Sequence, residues 1–526
     1  MRNVIRIAVT AAAGTVCAIL LAAAGSAHSQ ATASGPASGP AFAASLRSAH
    51  QPRIAVTMTR SAAPGRDARG VLNRVVCDNQ QVPGRQYWCE VADIDPKSPT
   101  VSTVGRREGE PANIYLDQQI HQVYNLLGDV YNFYFTRFGY DLTDNIGLGM
   151  QDDPTYPRVL SAAVNMCDGT VVDPGSGLGV CNGDNAFWQP APDGMVGGSM
   201  SIGSGLAGLS DVIAHEMQHG VTDLKSNLSY QGQSGAINES ISDIFGELID
   251  RSKQLKDYGK ILDDWTIGEG HMWSSVASKP VPWLRSLKDP YSMGVTVKPI
   301  RMRGQASSCK GYQPDRMSSP CWDTDPGNED YGGVHTNSGV GNKAAYLMSV
   351  GGTFNGRTIK GMGDDATAEL WWAVLPRLWA TTNYYQLGNR LMDVCPSLEQ
   401  AKTLPASACA DTVLPAISAT EMNLRRVAFS PLLTSVKSGT VIRPIVSVTD
   451  GLRTGPTRPM SNLQAYLQYQ QPGGTWISVT SAYTDSSGKA KFAYTLRNAG
   501  VYRLFLPAQG AAPAVTGTAT TINLRK

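Results

Sequence analysis

Two histidines and a glutamate near the middle of the chain have the types and spacing of a metal-dependent catalytic site. They are His215, Glu216 and His219, within the segment 211–223. On an α-helix, residues four apart lie on one face, so both imidazoles can bind the same metal ion. A catalytic zinc keeps one position for water, and Glu216 could take the proton of that water. For this motif alone, a chance match on an ordinary amphipathic helix is the alternative.

A candidate third ligand lies on the next predicted helix. Glu239 follows His219 by twenty residues, and Asp243 comes one helical turn later. Apolar periodicity predicts this second helix over residues 235–250, and Ser210 is the expected N-cap of the first helix. Five glycines over residues 197–208 predict a flexible segment leading into that first helix.

These segments resemble the thermolysin-like family of secreted neutral zinc metallopeptidases, also called gluzincins. The resemblance rests on His215-Glu-x-x-His-Gly-Val-Thr and on Gly235-Ala-Ile-Asn-Glu-x-Ile-Ser-Asp. Further segments match in the same order: Asp184-Asn-Ala-Phe-Trp188, Trp283-Leu-Arg-Ser-Leu-Lys-Asp-Pro290, Asp330-Tyr-Gly-Gly-Val-His-Thr-Asn-Ser-Gly339 and Asn342-Lys-Ala-Ala-Tyr346. The match spans roughly residues 100–400, and so many ordered motifs make coincidence implausible.

The resemblance implies a role for each matching catalytic position. It implies zinc ligands at His215, His219 and Glu239, and a general base at Glu216. It implies that Asp243 and Asn238 orient the liganding imidazoles. It implies oxyanion donors at His335 and Tyr230, with Asp330 holding His335 in place.

The resemblance also implies substrate and calcium contacts. Asn185 and Ala186 would bind the substrate backbone, and Arg285 would bind a substrate carbonyl. Apolar side chains would line a pocket for the residue after the scissile bond: Val212, Ile267 and Leu284. Four acidic positions match a calcium site of the family: Asp211, Asp250, Asp264 and Glu269. Thr266 stands where the family has a carboxylate, so we do not expect a second adjacent calcium, and solvated acidic residues are the alternative.

The expected architecture is α+β, with a two-lobed peptidase followed by a small all-β sandwich. We expect a β-rich N-lobe and an α-helical C-lobe over residues 71–425, and an Ig-like sandwich over 428–526. Alternating strand patterns separated by short turns predict the sandwich. A helix is predicted over 117–138, with an aromatic stripe more typical of core packing than of a ligand site.

The N-terminus has the pattern of a secretory signal. A basic start and an apolar run predict a signal peptide at residues 1–27, with an uncleaved anchor helix as the alternative. Residues 28–70 are rich in Ala, Ser, Gly and Pro and predict a disordered leader or short pro-segment.

Eight of the nine cysteines fall into four close pairs. They are Cys77 and Cys89, Cys167 and Cys181, Cys309 and Cys321, and Cys395 and Cys409. Eight cysteines allow 105 connectivities, but isolated local pairs in an exported protein favour nearest-neighbour disulfides.

We therefore expect a secreted, extracellular zinc endopeptidase that acts on protein or peptide substrates and prefers an apolar residue after the scissile bond. A formal net charge of +2 gives no reason to expect nucleic acid as a partner, and no stable membrane anchor is expected. We expect a monomer. The C-terminal domain could bind an extracellular polymer or surface. Trp476, Tyr466 and Tyr469 could form a carbohydrate-facing cluster there, but their pattern is more typical of core aromatics. An inert binding protein that acts through the sandwich is the alternative function.

Overall fold

A computed structural model describes most of the chain beyond residue 70. The described residues are 71–79, 89, 104–113, 117–151, 153, 156–167, 170–172, 179–181, 183, 185–262, 265–269, 283–292, 304–325, 330–450, 459–508, 512 and 514–525. The expected signal peptide and leader lie outside these ranges. Among the described helices, none is long and apolar enough to cross a bilayer.

The first lobe is built on a five-stranded mixed sheet in the order β2–β1–β4–β9–β7. Strands β1 to β4 are Arg74–Asp78, Val104–Arg107, Gly149–Met150 and Leu160–Met166, and β5 to β9 are Thr170–Val172, Gly179–Cys181, Ala186–Pro190, Met195–Val196 and Gly198–Gly203. Strand β4 runs parallel to β1 and β9, whereas β7 is antiparallel to β9. Among the described strands, β7 is the last of this sheet.

Helices form most of the second lobe. Helices α1 to α4 are Gln118–Phe138, Leu142–Ile146, Ser210–Lys225 and Gly232–Tyr258. Helices α5 to α9 are Val334–Asn337, Gly339–Val350, Asp364–Val374, Tyr384–Gln400 and Leu414–Ala419. Two short strand pairs accompany them: β10 (Thr266–Ile267) with β11 (Arg285–Ser286), and β12 (Gly351–Phe354) with β13 (Arg357–Lys360). One continuous apolar core joins both lobes, from Val76 to Met422.

Close helix packing places α3 and α4 where the candidate site requires them. Gly220 of α3 lies against Trp188 of β7, and a Cβ at Gly220 would come within 2.5 Å of the indole. Gly246 of α4 faces α3, and a Cβ there would lie 2.7 Å from the carbonyl oxygen of Asp211. These two glycines let α3 approach both the sheet and α4 closely.

The C-terminal strands form a separate sandwich with its own core. One sheet contains β14 (Arg425–Phe429), β17 (Ile445–Asp450) and β20 (Lys489–Lys491). The other follows the order β15–β24–β22–β18–β19, with β23 (Val515–Thr516) beside β22. In that order across the sheet, these five strands are Ser435–Lys437, Thr520–Arg525, Gly500–Leu506, Gln464–Gln470 and Trp476–Tyr483. Strands β16 (Val441–Ile442) and β21 (Tyr494–Thr495) form a third pairing.

The structure confirms the two-lobed fold class followed by a β-rich extension. The aromatic stripe of α1 is core, since Tyr134 stacks on Phe245 with ring centroids 5.8 Å apart. The flexible segment predicted from glycines was wrong, because residues 198–203 form the buried strand β9. Glycine there lets neighbouring backbone approach, as at Gly198, where a Cβ would lie 2.5 Å from the carbonyl oxygen of Gln189.

The cap of α3 also differs from the expectation. Leu209 occupies the N-cap position and makes no side-chain cap bond, while Ser210 is already helical. The Ser210 hydroxyl instead donates to Asp250 on α4. This serine therefore links two helices rather than ending one.

Three of the four expected disulfides are described: Cys77–Cys89, Cys309–Cys321 and Cys395–Cys409. Cys167 is also disulfide-bonded. The side chain of Cys181 lies outside the described residues. Nearest-neighbour pairing is confirmed at the three described bridges.

The α3–α4 contact predicts that Gly246→Ala destabilises the protein by about 1–3 kcal/mol, because the new methyl group would meet the Asp211 backbone. The measurement is the shift of the urea unfolding midpoint. Gly128→Ala in α1 is the matched control, since its nearest neighbour is the flexible end of Arg74. Equal effects of the two substitutions would contradict the close-packing account.

Candidate zinc-binding active site

The side chains of His215, His219 and Glu239 converge between α3 and α4. The Nε2 atoms of the two histidines are 3.1 Å apart. Glu239 Oε2 lies 3.5 Å from His215 Nε2, and Glu239 Oε1 lies 3.4 Å from His219 Nε2. The three residues are buried, with exposed fractions of 5%, 1% and 1%. A polar cluster this deep in the core needs a reason beyond packing.

The spacing of these atoms fits a tetrahedral zinc ion. Ligand atoms at usual zinc distances are about 3.3 Å apart in a tetrahedral site. The two Nε2 atoms are 3.1 Å apart, and one oxygen of Glu239 lies near this spacing from each, Oε2 at 3.5 Å from His215 and Oε1 at 3.4 Å from His219. Glu239 Oε2 is buried and has no hydrogen-bond partner among the described residues, as expected of an oxygen that a cation could coordinate.

Glu216 lies beside the same nitrogens, so proximity alone would allow it as a ligand too. Ligand atoms of His215, Glu216 and His219 all lie within 4.8 Å of one another. Glu239 is the better third ligand because each of its oxygens faces one Nε2 atom. Glu216 Oε2 is also buried without a described partner, and burial raises the pKa of this carboxyl to about 7. The neighbouring Glu239 charge adds to that effect, whereas His215 and Arg285 oppose it.

Side chains of α4 hold the far nitrogens of both imidazoles. Asp243 Oδ1 lies 2.9 Å from His215 Nδ1, and Asn238 Oδ1 lies 2.8 Å from His219 Nδ1. Ser242 Oγ lies 3.2 Å from the same nitrogen of His219. Both Nε2 atoms therefore point to the centre of the cluster. Sequence reasoning missed Ser242, although it follows Asn238 by one helical turn.

A buried carboxylate, Asp243, connects the metal cluster to the rest of the lobe. Arg285 donates two hydrogen bonds to it, from Nε at 3.0 Å and Nη2 at 2.6 Å. Asn342 Nδ2 donates a third at 2.8 Å. Burial alone would raise the pKa of Asp243, but Arg285 and His215 lower it to about 2. The predicted bidentate grip of Arg285 is thus directed at Asp243 in this structure.

Histidine protonation in the cluster depends on competition between burial and nearby carboxylates. Burial opposes protonation of His215, yet Asp243 and Glu239 raise its pKa to about 10. Burial lowers the pKa of His219. Burial would also raise the pKa of Glu239, but His335, His219 and His215 hold it well below its usual range. A bound cation would replace these protons, because metal ligands must be deprotonated.

His335 and Tyr230 come from other segments and meet the cluster at Glu239. The Tyr230 hydroxyl donates to Glu239 Oε1 at 2.5 Å and lies 3.0 Å from His335 Nε2. His335 Nδ1 lies 2.5 Å from Asp330 Oδ1. Thr336 donates to the other Asp330 oxygen from its backbone and its hydroxyl, at 3.1 and 3.0 Å. Asp330 therefore fixes the imidazole with Nε2 toward the cluster.

The predicted substrate positions border this cluster. Asn185 is buried, and Ala186 is the first residue of the terminal strand β7. Val212, Ile267 and Leu284 are all buried, and Leu284 N donates to Ile267 O at 2.7 Å. Ile267 and Arg285 pair across β10 and β11. The three apolar side chains of the expected pocket thus lie next to elements that carry site residues.

Two of the expected calcium carboxylates are brought close together. Burial raises the pKa of Asp211 to about 7, and the Asp250 charge adds to the shift. Asp211 accepts a hydrogen bond from Gly268 N, and Glu269 accepts one from the Thr266 hydroxyl. Asp264 lies outside the described residues. A divalent cation would stabilise the charged forms of the buried Asp211 and the half-buried Asp250.

A separate cleft of about 620 Å³ lies between α1 and α4 and contains none of the predicted site residues. Polar and charged side chains such as Asp129, Lys253 and Glu369 line it. The convergence of buried titratable groups, not cleft size, therefore locates the candidate active site.

Comparison with known proteins agrees with this geometry. A family model described as thermolysin metallopeptidase, catalytic domain, matches residues 113–223. A second, described as thermolysin metallopeptidase, alpha-helical domain, matches residues 226–410. Together they cover more than half of the chain, and they include every proposed zinc ligand. The chain belongs to the thermolysin family of metallopeptidases.

Curated relatives of this thermolysin-family chain include peptidases from several bacteria. A zinc metalloproteinase of Renibacterium salmoninarum is 36% identical over 63% of this chain and 54% of its own length. Neutral protease B of Bacillus subtilis is 36% identical over 36% of this chain and 29% of its own length. Thermolysin of Alicyclobacillus acidocaldarius is 36% identical over 39% of this chain and 32% of its own length. The alignments thus span about half of the first relative and about a third of the others.

The role of Asn238 in this thermolysin-family site can be tested through metal affinity. Asn238→Ala should weaken zinc binding about ten- to a hundredfold, because His219 Nδ1 loses its 2.8 Å amide partner. Competition with a zinc-binding dye measures the affinity. Asn145→Ala is the matched control, since its amide donates to the Asp141 carbonyl oxygen at 2.6 Å and bonds none of the proposed site residues. An Asn238 variant with wild-type affinity would show that the contact does not orient the ligand.

Proposed function

We propose that this chain is a secreted zinc endopeptidase that hydrolyses internal peptide bonds of protein substrates. The observation that carries the proposal is the buried convergence of His215, His219 and Glu239 beside Glu216. Membership of the thermolysin family supports it. The inert binding protein is not favoured, because the general base and every proposed ligand are present.

The proposed mechanism assigns proton transfer to Glu216. Zinc, when bound by His215, His219 and Glu239, supplies Lewis-acid polarisation of the scissile carbonyl and acidifies the attacking water. Glu216 takes the proton of that water and later delivers it to the leaving amine. Its burial suits this role, because a carboxylate shielded from solvent accepts a proton near neutral pH.

His335 and Tyr230 are proposed to stabilise the developing oxyanion. Their polar atoms lie 3.0 Å apart, and each lies beside one oxygen of Glu239, the Tyr230 hydroxyl at Oε1 and His335 Nε2 at Oε2. The Asp330 contact fixes the His335 ring with Nε2 toward the position proposed for the oxyanion. Donors that are already oriented stabilise charge without further reorganisation.

Substrate binding is proposed to use the outer edge of β7, the last described strand of its sheet. A peptide added antiparallel to this strand would form backbone hydrogen bonds at Ala186, with Asn185 at its end. Arg285 has one guanidinium nitrogen, Nη1, outside its bonds to Asp243, and we propose that it binds a substrate carbonyl. Val212, Ile267 and Leu284 would hold an apolar residue after the scissile bond.

Structural calcium is proposed near Asp211 and Asp250, with Glu269 and Asp264 as further ligands. The electrostatic repulsion between the buried Asp211 and the half-buried Asp250 supports this site. All proposed catalytic residues come from one chain, so a monomer suffices for activity.

Glu216→Ala should lower casein hydrolysis about a hundred- to ten-thousandfold while leaving zinc content unchanged, because the base is lost and the ligands remain. Glu369→Ala removes a glutamate that lines the separate cleft and should keep wild-type activity. A zinc chelator should abolish wild-type hydrolysis, and added zinc should restore it. Wild-type turnover by a pure Glu216→Ala protein would refute the mechanism.

We propose that residues 1–27 direct export and that residues 28–70 form a leader. Residues 71–425 would form the peptidase unit, and residues 428–526 the sandwich. The protein secreted by an expressing cell should therefore begin after residue 27 or, if the leader is removed, near residue 71. N-terminal sequencing of that protein tests the cut site, and light scattering tests the single-chain mass. A membrane-retained product that still contains residues 1–27 would support the anchor alternative.

A further inference from the structure

The C-terminal sandwich has a large positive net charge that the whole-chain value conceals. Residues 428–526 contain ten Lys and Arg, two Asp and no Glu, a formal net charge of +8. The complete chain has a formal net charge of only +2. The remaining residues are therefore acidic overall, and the sandwich is a distinct basic unit.

The five strands β15, β24, β22, β18 and β19 contain no acidic residue at all. Residues such as Leu504 and Ile522 point into the sandwich core. Alternation along each strand therefore turns three cations outward: Lys437, Arg503 and Arg525. We call this outward surface the basic face. None of the three cations forms an ion pair with a described residue.

Aromatic side chains occupy one end of the basic face. Tyr466 pairs with Phe505 across β18 and β22, with ring centroids 6.5 Å apart. The guanidinium of Arg503 lies 4.0 Å from the ring centroid of Trp476 and 5.8 Å from that of Phe505. Tyr466, Trp476 and Phe505 are half-buried and do not belong to the sandwich core. Their rings are therefore accessible from the outer side of the sheet.

Tyr469 behaves differently from the other two aromatics of the expected carbohydrate cluster. Its ring lies 5.1 Å from that of Tyr502, and it packs on the sandwich core. Tyr469 is thus a core aromatic, whereas Tyr466 and Trp476 are on the basic face.

Polar side chains complete the basic face. Arg503 Nε donates to Gln468 Oε1 at 2.9 Å, and Gln464 Nε2 donates to Ser481 Oγ at 3.2 Å. On β24, Thr521 is the cross-strand partner of Val501 in the antiparallel strand β22. Arg525 lies four residues further along β24, toward the start of β22 and therefore away from Arg503. Lys437 of β15 is the cross-strand neighbour of Arg525 at that end of the sheet. The face is an elongated strip with aromatic rings at one end and two cations at the other.

We propose that the basic face binds an acidic polysaccharide, a polymer of sugars that carry carboxylates. Aromatic rings can cover the apolar faces of sugar rings, and amides and hydroxyls can bond sugar hydroxyls. Arg503, Arg525 and Lys437 supply the complementary charge for carboxylates. The five strands span about 19 Å across, which suits a polymer segment better than a single sugar.

The ligand class follows from the combination of features on the face. A neutral glycan would use the rings and amides but would leave three unpaired cations unused. A polyanion that lacks sugars would use the cations but not the rings. The sandwich would thus hold the chain on an acidic polymer, independently of the proposed peptidase activity.

The test uses the full-length chain with Glu216→Ala to prevent self-cleavage, and sodium polygalacturonate as the probe. Affinity electrophoresis or calorimetry should show binding that weakens when NaCl rises from about 50 mM to about 500 mM. Dextran, a neutral glycan, and polyglutamate, a polyanion without sugars, should both bind more weakly. Tighter binding of single-stranded DNA than of polygalacturonate would overturn the assignment in favour of nucleic acid.

Matched variants locate the site. Arg503→Gln should weaken polygalacturonate binding about two- to fivefold, and Trp476→Ala with Arg503→Gln about tenfold or more. Arg503→Lys should restore part of the loss, since the charge returns without the planar group. Arg426→Gln removes an exposed arginine from β14 in the other sheet and should change nothing.

Two checks separate misfolding from loss of the site. Each variant, made also without Glu216→Ala, should retain casein hydrolysis and the wild-type unfolding midpoint. Absence of binding by the parent, or equal binding by the parent and the Trp476/Arg503 double variant, would overturn the proposal. Neither result bears on casein hydrolysis, so the proposed peptidase activity is tested separately.

Discussion

The charge balance around Asp243 is the interaction on which the candidate active site depends. This carboxylate lies in the protein interior, where an isolated charge would be very unfavourable. His215, Arg285 and Asn342 approach it from a helix, a short strand and a second helix. One buried anion thus ties three segments together and sets the orientation of a proposed metal ligand. Removing any one partner would leave a buried polar group unsatisfied, so metal binding and folding are coupled here.

Much of the fold and of the site was predictable from sequence because it depends on local spacing. His215 and His219 share a helix face, and Glu239 and Asp243 share the next, so their convergence needs only that the two helices pack. Contacts between distant segments could not be predicted in this way. The attachment of Arg285 to Asp243 and that of Ser210 to Asp250 depend on where other helices and strands lie. Glycine was misleading at residues 198–203, since it marks close backbone approach as often as flexibility.

Two properties of the sandwich are visible in its sequence, the alternation of side chains along β18 and the regional net charge. Tyr466 and Tyr469 are three residues apart, so on one strand they must face opposite sides of the sheet. The structure shows this arrangement, with only Tyr469 in the core. The charge of +8 on residues 428–526 was likewise visible in the sequence, but the acidic remainder of the chain masks it in the total. Net charge is therefore informative when it is counted for each predicted domain.

The position of β7 as the last described strand of its sheet has a consequence for the choice of targets under the proposed activity. A strand edge pairs with the backbone of a fully extended segment, and most segments of a folded protein are not extended and free at once. A folded target must first open locally, so its cleavage rate would follow the free energy of that opening. The sites cut in a mixture of proteins would then map the least stable parts of each, and the apolar pocket would select the bond within those parts. The peptidase would in effect distinguish loosely folded proteins from well-folded ones.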